Sequence, residues 1–167
     1  MQQTERARGG REGRERRIDR RDGQTTAYTV YGPSDGRPVV CCHGTPGSRL
    51  FGRLLAEQAR KAGVRLLVPD RPGYGRSDPL ADRTPRRVAA ASLTVLDDAG
   101  VDRADVVAFS GGACYALALA DAAPSRVGSI TLVSGAVPPS CASERPRQQR
   151  LLAVLARRTP RFLGAML

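Results

Sequence analysis

Residues 106 to 113 read Val-Val-Ala-Phe-Ser-Gly-Gly-Ala, and this stretch decides the fold. Its apolar first half is typical of a buried strand, and the small residues from Gly111 onward favour a helix that starts at once. Ser110 therefore lies on a sharp turn between a strand and a helix. Such a turn requires small residues two positions before and after the serine, and the sequence supplies Ala108 and Gly112. We call residues 108–112 the serine turn.

The position of the serine turn predicts a reactive or ligand-binding hydroxyl. Open α/β sheets bind ligands at the carboxyl ends of their strands, which is where Ser110 is expected. The backbone N–H groups that follow it begin a helix and attract negative charge. The same residues also fit an ordinary glycine-rich junction, so the neighbouring segments are needed to choose.

A second segment, residues 42–48, reads Cys-His-Gly-Thr-Pro-Gly-Ser and also follows a predicted buried strand. In enzymes with a serine turn, a glycine-containing loop of this kind supplies a backbone donor to the oxyanion hole. We nominate the N–H groups of Thr45 and Gly111 as the donor pair. Residues 42–48 are called the oxyanion loop below.

A third segment, residues 70–78, reads Asp-Arg-Pro-Gly-Tyr-Gly-Arg-Ser-Asp and continues another predicted strand into a turn. We call it the Asp70 loop. Asp70 and Arg71 are expected to brace loops through hydrogen bonds rather than to act in catalysis.

Around these segments, strand and helix signals alternate, as in an α/β fold with a doubly wound, mostly parallel sheet. The helix at 48–62 is predicted from an apolar stripe, and the one ending at Gly100 from a capping Thr84 followed by Pro85. The predicted strands are 17–21 and 25–31, which form a hairpin, and then 38–42, 64–68, 105–109 and 127–133; the predicted helices are 48–62, 84–100, 111–122 and 148–158.

The three segments together resemble the α/β-hydrolase superfamily, specifically its esterase/peptidase-like branch. The order is that of the family: an HG-x-PG oxyanion loop, a D-R-P-G-Y-G-x-S-D loop, then a small-x-Ser-x-Gly nucleophile turn. The resemblance covers residues 16–140 and implies the N-terminal part of the core, with about six of the eight strands. Residues 1–15 are expected to be a disordered basic tail, and 141–167 a linker and the start of a helical lid.

The resemblance implies a serine hydrolase that cleaves an ester, amide or similar acyl bond through an acyl-enzyme. Ser110 would be the nucleophile, and Thr45 and Gly111 would supply the oxyanion hole. The aspartate nucleophile of the epoxide hydrolase and dehalogenase branches is not matched, because the turn carries serine.

The catalytic partners depart from the family pattern. In this fold an acid and then a histidine follow the serine, yet only Asp121 and Glu144 follow Ser110 as acids, and no histidine does. His43, the single histidine, is expected to shape the oxyanion loop rather than to act as base. We therefore expect the acid and base to be missing from the chain, through truncation, frameshift or a split gene, and the chain alone to be inactive.

The composition of the chain bears on metal sites, disulfides and cellular location. One histidine excludes a multi-histidine metal site, and we expect no metal and no cofactor. The four cysteines show no C-x-x-C spacing, which favours free thiols and a cytoplasmic protein. We find neither a signal peptide nor a membrane-spanning run, so no membrane partner is expected. The net charge of +11 comes from 26 Arg and one Lys against 16 acids, an arginine bias that we attribute to genome composition.

The expected partner is a small acyl substrate. The alternative is a non-catalytic binding or regulatory protein on a hydrolase scaffold, which contacts nucleic acid through its basic ends, including Arg8-Gly9-Gly10. Strand 127–133 is expected to be an unprotected edge, which predicts self-association or a complementing C-terminal fragment. Apolar side chains expected to face water with it are Leu151, Leu155, Phe162, Leu163 and Met166.

Overall fold

A single mixed sheet organises the chain in the computed structural model, which describes residues 13–20, 23–135 and 147. Its strands are β1 (Arg14–Asp19), β2 (Thr25–Tyr31), β3 (Arg37–Cys42), β4 (Val64–Pro69), β5 (Ala104–Phe109) and β6 (Val127–Val133), in the order β1-β2-β4-β3-β5-β6. The β1/β2 and β2/β4 pairs are antiparallel, whereas β4, β3, β5 and β6 run parallel. The predicted mostly parallel sheet is confirmed.

Helices cover both faces of this sheet. They are α1 (Ala56–Lys61), α2 (Pro85–Asp98) and α3 (Ala113–Ala122), with 3₁₀ turns at Arg49–Leu54, Ser110–Gly112 and Pro124–Arg126. Because successive strand residues point to opposite faces, the core has two parts. One part packs Val40 and Leu67 against α2 and α3, and the other packs Val39 and Leu66 against α1. The doubly wound architecture is therefore also confirmed.

Local signals set the bounds of α2. The Thr84 side chain accepts a hydrogen bond from the Arg87 N–H, and Pro85 occupies the first helical turn. At the other end Gly100 has φ +63°, a left-handed conformation that glycine adopts without the cost borne by other residues. Both predicted ends of this helix are confirmed.

The single helix predicted over 48–62 is wrong. The segment divides into the 3₁₀ turn Arg49–Leu54 and α1, and the predicted apolar stripe fails because Leu50 and Leu54 are 42% and 75% exposed. Arg49 faces inward instead, where its backbone N–H and guanidinium both bind the Asp70 carboxylate. That buried ion pair sets the rotation of the turn, which apolar spacing alone does not reveal. Ala59 of the stripe is buried as predicted, and Phe51 and Leu55 are half-buried.

The N-terminal boundary also needs correction. Strand β1 begins at Arg14 and ends at Asp19, so Arg14 and Glu15 belong to the sheet rather than to a disordered tail. Glu15 is held there by Arg49 and Arg76. The rest of the predicted tail, residues 1–12, lies outside the described residues.

The chain divides into two units, Met1–Gly135 and Ala136–Leu167, and the sheet belongs to the first. Only Arg147 of the second unit is described. The predicted lid helix 148–158 therefore lies outside the described residues. Of the two basic ends considered for nucleic-acid binding, only residues 13–15 and Arg147 are described. Glu144, Cys141 and the apolar side chains of 151–166 lie outside them as well.

Three features of the described part bear on the predictions from sequence. Cys41 and Cys42 are buried and Cys114 is exposed, all as free thiols. Strand β6 pairs with β5 and ends the described sheet, with Leu132 and Val133 exposed, as predicted for an edge strand. None of the helices in residues 13–135 is long and apolar enough to span a membrane.

Candidate active site

Ser110 immediately follows β5 and has a φ of +47°. Left-handed backbone is costly for an L-residue that carries a Cβ, by about 1–2 kcal/mol, and such strain is concentrated at functional sites. The chain passes through the 3₁₀ turn Ser110–Gly112 directly into α3, and Ser110 is exposed. The serine turn predicted from the sequence is thus present, with its hydroxyl-bearing residue accessible.

The requirement for small residues in the serine turn has a clear physical cause. A Cβ placed on Gly112 would lie 2.2 Å from the Cys42 carbonyl oxygen and 2.9 Å from that of His43, so only glycine fits. Ala108 is fully buried and pairs with Cys42 across the β5/β3 ladder. The serine turn therefore packs directly against the end of β3, where the oxyanion loop begins.

The oxyanion loop approaches the serine turn closely. A Cβ placed on Gly44 would lie 3.4 Å from the Ser110 Cβ. A Cβ placed on Gly111 would lie 3.2 Å from the Thr45 Oγ1 and 3.8 Å from the Thr45 backbone nitrogen. The structure therefore brings together the three residues selected from the sequence: Ser110, Thr45 and Gly111.

His43 is fully buried at the start of the oxyanion loop. Its Nε2 accepts a hydrogen bond from the Arg71 backbone N–H at 3.4 Å, so the ring proton resides on Nδ1, which donates to the Gly44 carbonyl oxygen at 2.8 Å. Burial lowers the pKa of His43 to about 4, and the imidazole is neutral at neutral pH. With both ring nitrogens bound to the backbone, His43 shapes the loop, as expected from the sequence.

Arg71 braces the same loop from the side. Its Nη2 donates to the Gly44 carbonyl oxygen at 2.7 Å and to the Thr45 Oγ1 at 2.8 Å. The guanidinium carbon lies 4.5 Å from the ring centroid of Tyr74 and 4.8 Å from that of Tyr115. Arg71 is therefore the loop-bracing residue expected from the sequence, and its contacts reach the nominated oxyanion hole.

Asp70 anchors the loop that bears its name. Its fully buried carboxylate accepts hydrogen bonds from the Arg49 backbone N–H, from Arg49 Nη1 and from the Arg76 backbone N–H. Glu15 accepts from the guanidinium groups of Arg49 and Arg76, which lower the pKa of its carboxyl. Asp70 was identified from the sequence, but Glu15 and Arg49 were not, because nothing distinguishes Arg49 from the other arginines.

The remaining nominated acids do not join the site in the described part of the chain. Asp121 is exposed in the last turns of α3, and Glu144 lies outside the described residues. Among residues 13–20 and 23–135, no titratable side chain forms a hydrogen bond with Ser110 Oγ. The described site therefore contains a strained, accessible serine and two nearby backbone donors.

Comparison with known proteins identifies the fold family. A family model described as the alpha/beta hydrolase fold matches residues 37–165. The chain belongs to this α/β-hydrolase family. The match begins at β3 and includes the oxyanion loop, the Asp70 loop and the serine turn.

Individual relatives of this α/β-hydrolase chain differ in chemistry. A 2-hydroxy-6-oxononadienedioate/2-hydroxy-6-oxononatrienedioate hydrolase of Pseudomonas putida is 39% identical over 103 residues, which are 58% of this chain and 36% of that protein. A non-heme chloroperoxidase of Streptomyces lividans is 36% identical over 121 residues, covering 71% of this chain and 43% of that protein. A solved epoxide hydrolase mutant from Vigna radiata matches with a TM-score of 0.67 and 25% identity, over 76% of this chain and 39% of that one.

These matches cover less than half the length of each relative. The relatives' names also span several reactions, so family membership supports a hydrolase scaffold without selecting a reaction. The reaction must therefore be inferred from the residues of this site.

Proposed function

We propose that Ser110 is the nucleophile of a serine hydrolase site that acts on an ester, amide or similar acyl bond. The observation that carries this proposal is the apposition of the strained Ser110 with Thr45 and Gly111. Serine at the turn, rather than aspartate, favours an acyl-enzyme over the alkyl-enzyme chemistry of an aspartate nucleophile. The proposed substrate is accordingly a small molecule that contains such an acyl bond.

The reaction proceeds in two steps, acylation of Ser110 and hydrolysis of the acyl-enzyme. Ser110 Oγ attacks the carbonyl carbon and loses its proton to a base, while the carbonyl oxygen becomes an oxyanion that accepts hydrogen bonds from the Thr45 and Gly111 N–H groups. The tetrahedral intermediate collapses as the leaving alcohol or amine departs with a proton. Water then attacks the acyl-enzyme, which releases the acid and restores the serine hydroxyl.

No base for Ser110 is found among residues 13–20 and 23–135. His43 is the single histidine, and both of its ring nitrogens are bound to the backbone. We place the acid and the catalytic histidine outside this sequence, in a continuation of the reading frame or in a second polypeptide. Reading the nucleotide sequence past Leu167 in all frames tests this placement. If no encoded strand there is followed by an acid and then by a histidine-bearing loop, the continuation is excluded and only the second polypeptide remains.

A fluorophosphonate probe tests the nucleophile itself. Oxyanion stabilisation and binding retain roughly 10³-fold catalysis over water in a serine protease without its triad, so slow labelling of the isolated chain is expected. Peptide mass mapping should place the adduct on Ser110, and Ser110→Ala should remove it. Equal labelling of the wild type and Ser110→Ala would refute the assignment.

A further inference from the structure

Arg71 has an unusual environment for a charged group. The residue is only 5% exposed, yet no carboxylate in residues 13–20 or 23–135 forms an ion pair with it. Burying a charge is costly unless strong interactions compensate for it, and buried arginines are normally paired. The partners of Arg71 are instead a backbone carbonyl, a hydroxyl and two aromatic rings, and its Nη2 also lies 3.4 Å from His43 Nδ1. These contacts therefore hold the oxyanion loop in position.

The bond to Gly44 determines where the Thr45 N–H points. The Gly44 carbonyl and the Thr45 N–H belong to one planar trans peptide unit, in which the two groups point in opposite directions. Arg71 Nη2 and His43 Nδ1 both donate to the Gly44 oxygen, which uses its two lone pairs. Fixing the carbonyl towards Arg71 therefore directs the Thr45 N–H away from Arg71.

The second hydrogen bond of Arg71 fixes the side chain of Thr45. Thr45 Oγ1 accepts from Arg71 Nη2 at 2.8 Å, and a hydroxyl held in this way has a fixed rotamer. It lies beside Gly111, where an added Cβ would be 3.2 Å from the Thr45 Oγ1. One guanidinium nitrogen thus orients the backbone and the side chain of the nominated donor residue.

The guanidinium of Arg71 also contacts two aromatic rings. Tyr74 belongs to the Asp70 loop and Tyr115 to α3, which follows the serine turn. Arg71 therefore connects three segments that meet at the site. Lysine would keep the charge but lacks both the flat faces for stacking and the paired donors at fixed angles.

We propose that Arg71 is a positioning residue for the oxyanion hole, acting through the Gly44 carbonyl and the Thr45 hydroxyl; this inference rests on the proposed function. It assigns Arg71 a role in reactivity that is separable from its contribution to stability.

The test measures the second-order rate of fluorophosphonate labelling of Ser110 in the full 167-residue chain. Arg71→Met and Arg71→Lys should both label about tenfold more slowly, somewhat less than the loss on deleting an oxyanion donor outright. Arg83→Met is the matched control, because Arg83 stacks on Tyr74 at 5.4 Å and contacts Pro72 but none of the described residues of the oxyanion loop. It should label at the wild-type rate. Wild-type rates for both folded Arg71 variants would overturn the inference.

A double-mutant cycle separates positioning from general destabilisation. Thr45→Val removes the hydroxyl acceptor, whereas Thr45→Ser retains it and should slow labelling less than Thr45→Val does. If Arg71 acts through Thr45, combining Arg71→Met with Thr45→Val should slow labelling by much less than the product of the two single effects. Purely multiplicative effects would contradict the route through the Thr45 hydroxyl. These Thr45 variants also keep the inference testable if Arg71→Met does not fold.

Failure of the proposed function is distinguishable from failure of this inference. If the wild type labels no faster than Ser110→Ala, Ser110 is not the nucleophile, and Arg71 is then judged by ¹⁵N relaxation of the backbone amides. Arg71→Met should increase the fast motion of the Gly44 and Thr45 amides, while those of α3 stay unchanged. Unchanged Thr45 order parameters would refute the positioning role independently of any reactivity.

Discussion

Arg49 Nη1 lies 2.9 Å from Asp70 Oδ2, and the side chains of the pair are only 7% and 0% exposed. The Arg49 backbone N–H binds the other carboxylate oxygen. The turn after the oxyanion loop is thus joined to the start of the Asp70 loop. Glu15 extends the connection to β1.

This ion pair predicts a large loss of stability for Arg49→Met. The substitution leaves the Asp70 carboxylate buried without its cationic partner, which costs about 3–5 kcal/mol. Urea unfolding monitored by circular dichroism measures the change. Arg60→Met on the exposed face of α1 is the control and should change stability by less than about 0.5 kcal/mol. A loss below about 1 kcal/mol for Arg49→Met would show that the pair contributes little to stability.

Gly112→Ala should destabilise the fold, because the new Cβ would lie 2.2 Å from the Cys42 carbonyl oxygen. Backbone must move to accept it, and we expect a cost of about 3 kcal/mol, at the upper end for overpacking. Gly100→Ala is a matched control with open space but a φ of +63°, and should cost about 1 kcal/mol. Equal losses in urea unfolding would mean that the serine turn relaxes easily away from β3.

Ser110→Gly should be more stable than Ser110→Ala. Both substitutions remove the hydroxyl, but only glycine relieves the φ of +47°. The expected difference in free energy of unfolding is about 1 kcal/mol, reduced somewhat by the greater freedom of glycine in the unfolded chain. Thermal or urea unfolding of the two variants checks it. If Ser110→Ala is the more stable, the turn does not store the backbone strain inferred from its φ.

His43 predicts a loss of stability on mild acidification. Its pKa is lowered to about 4, chiefly by burial and also by Arg71, against about 6.5 when unfolded. Between these pH values the unfolded chain binds a proton that the folded chain does not. This titration therefore leaves the free energy of unfolding unchanged above pH 6.5 and lowers it by about 3 kcal/mol as the pH falls to 4.

The control for this pH dependence is His43→Asn, whose amide replaces the Nδ1 donor to Gly44 but does not titrate. Urea unfolding from pH 7 to pH 4 should give a much flatter profile for this variant than for the wild type. Parallel profiles would assign the pH dependence to other groups. The lowered pKa of Glu15 acts in a lower range, since its stabilisation is lost only as the pH falls below about 4.5.

Strand β6 ends the sheet of the described residues, and this edge predicts self-association. Leu132 is 45% exposed on this strand, and an apolar edge favours pairing with another chain. Leu132→Lys should shift sedimentation towards monomer in analytical ultracentrifugation. Leu54→Lys, at a residue 75% exposed in the 3₁₀ turn, should not. A stable wild-type monomer would defeat the prediction, and an equal effect of the two variants would indicate apolar contact without edge pairing.

The elements that the sequence predicts well are those with local causes. The bounds of α2 follow from a hydroxyl cap, a first-turn proline and a terminal glycine, all within or adjacent to the helix. The serine turn follows from residue sizes within two positions of Ser110. In contrast, the helix predicted over 48–62 failed because a contact with Asp70, 21 positions away, sets the direction in which Arg49 points.

The sequence by itself determined the α/β alternation, the serine turn and the loops that face it, because periodicity and residue size act between near neighbours. Only the tertiary structure decided which groups the arginines bind. Arg49 looks like any of the other 25 arginines in the sequence, and the loop motif marked Arg71 as a brace without indicating its partners. One becomes the partner of a buried carboxylate, and the other holds the carbonyl that directs the Thr45 N–H. Such roles depend on groups brought together by strand order, and long-range contacts between polar groups leave no periodic signal in a single chain.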